Sequence, residues 1–155
     1  MARVFLPTVR ASGIAVMYSV DQAVGFGGAN RRDDVLLVQF FLLIARDSDA
    51  RGNQGFTPPG QQTIKTDGVF GPETAAYIKF FQEDTDRRVS VGGVFVADGR
   101  IDPLDGKLRG SQRGGLLTMA SLNFEYLNRQ GTGFHSNISI DPRFPIGLKK
   151  SLFIS

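Results

Sequence analysis

The chain has 155 residues, 41% hydrophobic and 21% charged, with 18 basic against 15 acidic residues and a formal net charge of +3. This length and composition specify a folded chain with a real core, and the small, scattered basic excess argues against a nucleic-acid partner. There is no Cys, which excludes disulfides and thiolate metal sites, and no run approaches the roughly 18 apolar residues of a membrane span.

Residues 1–24 hold two β-like runs, Arg3 to Val9 and Ile14 to Val20, with Ser12-Gly13 as the turn between them. They form a predicted N-terminal arm. Pro7, Arg10 and Ser12 interrupt any apolar core there, so the segment does not read as a secretion signal. Gly25-Phe26-Gly27-Gly28 breaks the strand pattern. A first helix is expected from Asn30–Asp33 to about Arg46, with Asn or Asp as cap and two Asp residues in the first turn.

Within that helix, Val35 to Ile44 is apolar at every position except Gln39. One apolar stripe suffices for a surface helix, so a second face also needs cover. Either the chain's own arms supply it, or Val35, Leu36, Phe40 and Phe41 form a contact face for another protein. Residues 46–63, rich in Gly, Pro, Gln and Asp, read as a long exposed loop.

The densest pattern lies at residues 67–82. Asp67-Gly68 is a turn pair, since Asp bonds nearby backbone and Gly accepts positive φ. Gly71-Pro72 starts a helix with Pro at the first position. Glu73 places negative charge in its first turn, and Thr74, Tyr77, Ile78 and Phe81 share one face.

Asp67, Gly68, Phe70, Gly71, Thr74, Phe81 and Gln82 together resemble the signature of the peptidoglycan-binding domain family, Asp-Gly-x-Phe-Gly-x-x-Thr followed by a helix ending Phe-Gln. The resemblance implies a mainly α fold with a three-helix core. Val38-Gln39 stands where the family carries Leu-Gln in its first helix. The 46–63 loop is longer than the family's usual connection.

Further on, Val89 to Val96 contains Gly92-Gly93 and predicts a hairpin. Asp98-Gly99-Arg100-Ile101-Asp102-Pro103 then echoes Asp67-Gly68-Val69-Phe70-Gly71-Pro72, 31 residues downstream. A similar second turn precedes the family's third helix, so the resemblance extends over about 25–130. Here an extra loop, Leu104 to Gly115, intervenes. The third helix is predicted at Leu116 to Arg129, with Leu117, Ala120, Phe124 and Leu127 on one face and Gly131 as C-cap. Residues 131–155, with Pro142 and Pro145, read as a second extended arm. The two arms would pair with each other or with neighbouring subunits by strand addition.

Catalytic chemistry finds little support. His135 is the only His, set in a polar stretch, and cannot alone supply a zinc set. No Gly-x-Ser-x-Gly elbow is present. Glu73, Glu83 and Glu125 are explained by helix ends and faces, and most Asp residues by turns. Asp98, Asp102 and Asp105 lack the closing Glu of a calcium loop. Sixteen aromatics, Phe and Tyr without Trp, point to packing more than to sugar platforms.

The expectation is a non-catalytic binder with no cofactor and no metal. The resemblance implies peptidoglycan or its stem peptide as ligand, with Arg31, Arg32, Tyr77 and Asp98 as candidate contacts. Arg meets carboxylates bidentately. With no secretion signal, the chain would be made in the cytoplasm and reach a wall by lysis or within a particle such as a phage tail, contacting other subunits of an assembly. The alternatives are a docking subunit that keeps the fold without glycan binding, and an accessory of a wall hydrolase.

Overall fold

A computed structural model describes residues 3–5, 16–49, 52, 54–61, 63–88, 97–104 and 117–152. The order is β1 (Arg3–Phe5), β2 (Met17–Ser19), β3 (Val24–Gly25), α1 (Arg32–Ala45), α2 (Pro72–Arg88), β4 (Arg100–Ile101), α3 (Thr118–Gln130), α4 (Thr132–Ser136), 3-10 turns at Ile138–Ile140 and Ile146–Leu148, and α5 (Lys149–Leu152). Among the described residues the fold is mainly helical, with two small antiparallel pairs. β1 lies on β2, with Val4 opposite Tyr18, as the two N-terminal β-like runs predict. β3 lies on β4, with Val24 opposite Ile101.

α1 is the centre. It packs against α2, α3, β3 and the second 3-10 turn, and Val35, Leu36, Leu37, Val38, Phe40, Phe41, Leu42, Ile44 and Ala45 are all buried. A helix that is apolar all round needs cover all round, and this chain supplies it. The Phe40 ring meets Phe144 at 5.3 Å and Tyr126 at 5.6 Å between centroids. Phe41 meets Tyr126 at 5.6 Å and Tyr18 at 6.4 Å. The proposed partner-contact face of Val35, Leu36, Phe40 and Phe41 is therefore interior, at 0–2% exposure.

The C-terminal segment corrects a second expectation. It is a run of helical turns, not an extended arm. Asp141 organises it. The Tyr126 hydroxyl donates to Asp141 Oδ2 at 3.0 Å, and Arg143 donates from its backbone N and from Nε to Oδ1, and from Nη2 to Oδ2. Burial would raise the Asp141 carboxyl, but Arg143 and Tyr126 together hold it below its ordinary range. Phe144 and Leu148 are thereby seated on the core. A residue sequence alternation reads as strand can form such turns when Asp and Pro punctuate it.

Three smaller departures have local causes. Asn30 does not cap α1. Its side chain accepts from Gly25 N and donates to the Gly25 and Gly28 carbonyls, closing the glycine loop at φ 50°. Asp34 in the first turn reaches back instead, accepting from the N–H groups of Asp21 (2.8 Å) and Gln22 (3.0 Å). Burial raises its carboxyl, partly offset by those two donors. On α3 the fully buried core positions are Met119, Ala120, Leu122 and Tyr126, while Leu117, Phe124 and Leu127 are only half-buried. Ala120 is common to both sets, and the buried face is centred about a third of a turn from the predicted stripe. The Val89–Val96 hairpin lies outside the described residues, as does most of the Leu104–Gly115 loop.

Candidate functional site

The two Asp-Gly turns are built by the same device. Gln39, on α1, is buried and turns its amide onto the first. Its Oε1 accepts from Gly68 N at 2.8 Å, and its Nε2 faces Asp67 Oδ1 (3.0 Å), the Val69 carbonyl (3.1 Å) and Thr74 Oγ1 (3.0 Å). Gln82, on α2, does likewise for the second. Oε1 accepts from Gly99 N at 2.8 Å, and Nε2 faces Arg100 O (2.9 Å), Thr118 Oγ1 (3.0 Å) and Asp98 Oδ1 (3.4 Å). In each turn the Asp Oδ1 also accepts from the N–H two residues on, Val69 at 3.0 Å and Arg100 at 2.9 Å. The Val69 N–H and the Gln39 amide hold the Asp67 carboxyl below its ordinary range.

Thr74 lies in the first turn of α2 and Thr118 is the first residue of α3. Each helix thus fixes the start of the next through one glutamine. Gly68 and Gly99 sit at φ 76° and 75°. A Cβ on Gly68 would come 2.6 Å from Arg32 Cγ, and one on Gly99 would come 2.8 Å from the Phe26 ring. Both turns demand glycine for conformation and for space.

The β3–β4 pair brings the turns to one surface. Phe26 N donates to Gly99 O at 3.3 Å, and the Phe26 ring meets Phe70 edge-on at 5.9 Å. Phe26 and Val69 remain exposed at 59% and 64%. Arg100 donates from Nε to Asp102 at 2.8 Å and from Nη1 to Gly27 O at 3.5 Å.

The sequence-predicted contacts do not form one cluster. Arg31 and Arg32 are exposed at the start of α1, with Arg32 lying over Gly68 and near Gly147. Asp98 shapes the second turn. Tyr77 is fully buried and so is not available as a surface ligand contact. Its hydroxyl has no hydrogen-bond partner of good geometry, although Thr57 is a polar neighbour, and burial raises its pKa. The motif residues are architectural: Thr74, Phe81 and Gln82 are buried, Asp67, Gly68 and Gly71 shape the turn and helix start, and Phe70 packs on the core.

His135 is also interior, 1% exposed between Tyr18 and Tyr126. Asn123 Oδ1 accepts from Tyr18 N (3.0 Å), so the His135 Nε2 at 3.1 Å from the same oxygen carries the hydrogen. Asn123 Nδ2 donates to Tyr18 O and Met119 O, both at 2.8 Å. Burial pushes the imidazole down to about 4. It is a packed neutral group rather than a base facing solvent. Among the described residues no group of three or more His, Asp or Glu could hold a metal, and no helix is long and apolar enough to cross a membrane.

Sequence reasoning missed two features. One is Phe26 as the piece joining both turns. The other is Arg129, 6% exposed, whose guanidinium reaches the carbonyls of Ile44, Asp47 and Gln54 and the Glu125 carboxylate. It fixes the loop after α1, which also carries Thr57 Oγ1 donating to Arg46 O (2.6 Å) and Gly55 N donating to Ser48 Oγ (3.1 Å). Between this loop and α2 lies an open cleft of about 430 Å³. Comparison with protein-family models, with curated proteins and with solved structures found no match.

Proposed function

We propose that the chain is a non-catalytic module that binds cell-wall peptidoglycan, as a structural component of a larger particle such as a phage tail or a phage-tail-like injection system. The observation that carries the reading is the pair of glutamine-clamped Asp-Gly turns. The residues that resemble the peptidoglycan-binding family, Asp67, Gly68, Phe70, Gly71, Thr74, Phe81 and Gln82, are the ones that build the first turn and join it to the second. A three-helix core of that family's kind is part of the proposal. Three of the catalytic candidates weighed from the sequence are occupied otherwise: His135 in the core, Glu73 accepting from Lys65 N at 2.7 Å, and Glu125 on Arg129.

The test is co-sedimentation with insoluble peptidoglycan sacculi, with the solution mass measured on the same sample. Saturable pelleting supports the reading; no pelleting across a wide concentration range overturns it.

A second reading, a docking subunit without glycan binding, is favoured by one observation. Ile146 is 84% exposed and Ile140 56% exposed on the C-terminal turns, more apolar surface than a wall contact at the Asp-Gly turns explains. Failure to pellet combined with self-association would select it.

A further inference from the structure

Exposed apolar side chains from three separate turns gather around one residue, Arg32. Phe26 is 59% exposed in the glycine loop, Val69 64% in the first Asp-Gly turn, and Ile146 84% at the start of the second 3-10 turn. The stem of Arg32 runs past Gly68, beside Val69, where an added Cβ would come 2.6 Å from Cγ. Its Nη1 reaches Gly147, beside Ile146, where an added Cβ would come 3.3 Å away. Phe26 adjoins through its edge-on contact with Phe70 at 5.9 Å. Single exposed apolar residues need no explanation, whereas a gathered set marks an interaction surface.

The charges on this face are unequal. Around Val69 they nearly cancel, with Lys65 against Asp67 and Glu73. The excess lies around Ile146. Lys149 and Lys150 follow it by three and four positions, so they share its side of the helical turns. Arg31 and Arg32 stand across from them. All four are exposed, and among the described residues none makes an ion pair. Arg143 is held by Asp141, and half-buried Asp33 offsets one of the four.

The arrangement chooses its occupant. A second copy in a two-fold contact would set these cations against themselves. A bound peptide follows a groove or a strand edge, whereas these apolar residues are tips of three separate turns. Lys is depleted from protein–protein interfaces, but an anionic bilayer attracts Lys and Arg alike. We infer that this face docks on an anionic lipid surface, with Ile146, Val69 and Phe26 entering the headgroup boundary and Arg31, Arg32, Lys149 and Lys150 meeting the lipid phosphates. The inference goes beyond the wall-binding reading and stands independently of it.

The experiment is co-sedimentation of the full chain with vesicles of pure phosphatidylcholine and of phosphatidylcholine containing about one-third phosphatidylglycerol. Soluble polyglutamate is the acidic-polypeptide arm. The expected result is binding to the anionic vesicles alone, weakened by salt. K150A should bind about fivefold more weakly, the contribution of one cation near a charged bilayer. I146S should bind about tenfold more weakly through lost apolar burial. K79A, which removes one exposed cation on α2, should bind like the wild type. No binding to anionic vesicles overturns the inference, as does equal binding to both vesicle types. Equal losses in K79A and K150A also overturn it, because net charge and not this face would then be responsible. Binding of polyglutamate without binding of vesicles overturns it in favour of an acidic protein partner. Sacculi pelleting reads wall binding separately, so either result can fail alone.

Discussion

Gln39 and Gln82 make the same set of hydrogen bonds on two different helices. Each accepts from the glycine of an Asp-Gly turn at 2.8 Å and each donates toward the Asp carboxylate, a backbone carbonyl and a threonine in the first turn of the following helix. Replacing either by Ala leaves a buried N–H and several acceptors without partners. Q39A and Q82A should each destabilise the chain by about 3 kcal/mol, read as a shift in denaturant midpoint. Q82E keeps the shape but loses the donors and sets a carboxylate beside Asp98. It should be no better than Q82A at pH 7 and should regain stability as the pH approaches the carboxylate range.

Glycine replacements should rank by what surrounds each site. Gly68, Gly99 and Gly131 all have φ between 75° and 86°. An added Cβ meets Arg32 at Gly68 and the Phe26 ring at Gly99, but nothing within 4 Å at Gly131. G131A should cost about 1 kcal/mol for the left-handed backbone alone, and G68A and G99A should cost more. Thermal melting of the three variants tests the order; equal losses would show that the close approaches are relieved without cost.

Acid should weaken the fold through His135. Its folded value is about 4, below the ordinary value of about 6.5. Between those values the unfolded chain binds more protons, so stability is full above about pH 6.5 and falls as the pH drops toward 4. The total loss is about 3 kcal/mol. Asp141, held below its ordinary range, acts in the same direction at still lower pH, and Asp34, held above its own, acts in the opposite one. Urea midpoints from pH 7 to 4 measure the slope, and H135Q should flatten it in that window.

Removing Arg129 should loosen the loop before it unfolds the chain. R129M leaves the Ile44, Asp47 and Gln54 carbonyls without their shared donor. The expected loss is about 2–4 kcal/mol, with amide exchange rising first at Gly55 and Phe56. Uniform acceleration across the core would instead mean that the loop and core open together.

The C-terminal turns should matter in proportion to burial. F144A removes a ring packed on Phe40 and should cost about 3–5 kcal/mol. I146S, at a position 84% exposed, should lie within about 0.5 kcal/mol of the parent. Paired denaturation curves decide this.

The sequence carried the helices and the first turn clearly, because Pro72, Glu73 and the Thr74–Tyr77–Ile78–Phe81 spacing are local signals. All four of those last residues are buried, as expected. The second turn was legible as an echo, but its threonine was not. Seven positions separate Asp67 from Thr74, whereas an inserted loop separates Asp98 from Thr118. Gln39 was visible as the one polar residue in an apolar run, without a sign of what it bonds. The role of Arg129 depends on carbonyls about 75 to 85 residues away, and no spacing rule reaches that far. The C-terminal segment was misread because Asp141, Tyr126 and Arg143 stabilise turns that β-propensity alone does not foresee. The cleft was hidden for the same reason as Arg129, since both its walls are loop and helix surface joined only in three dimensions.

The wrapping of α1 has a consequence for how the chain comes to be folded. Its cover comes from both sides of the sequence: the Tyr18 main chain is held by Asn123, 105 residues on, and the Ile138 N–H reaches the Tyr18 hydroxyl, 120 residues on. During synthesis α1 emerges long before α3 and the C-terminal turns that enclose it, so the growing polypeptide carries an uncovered apolar rod until Tyr126, Phe144 and Leu148 have left the ribosome. Such late, sequence-distant closure slows folding and exposes the nascent chain to aggregation. Fragments that end before α3 should therefore need a holding chaperone.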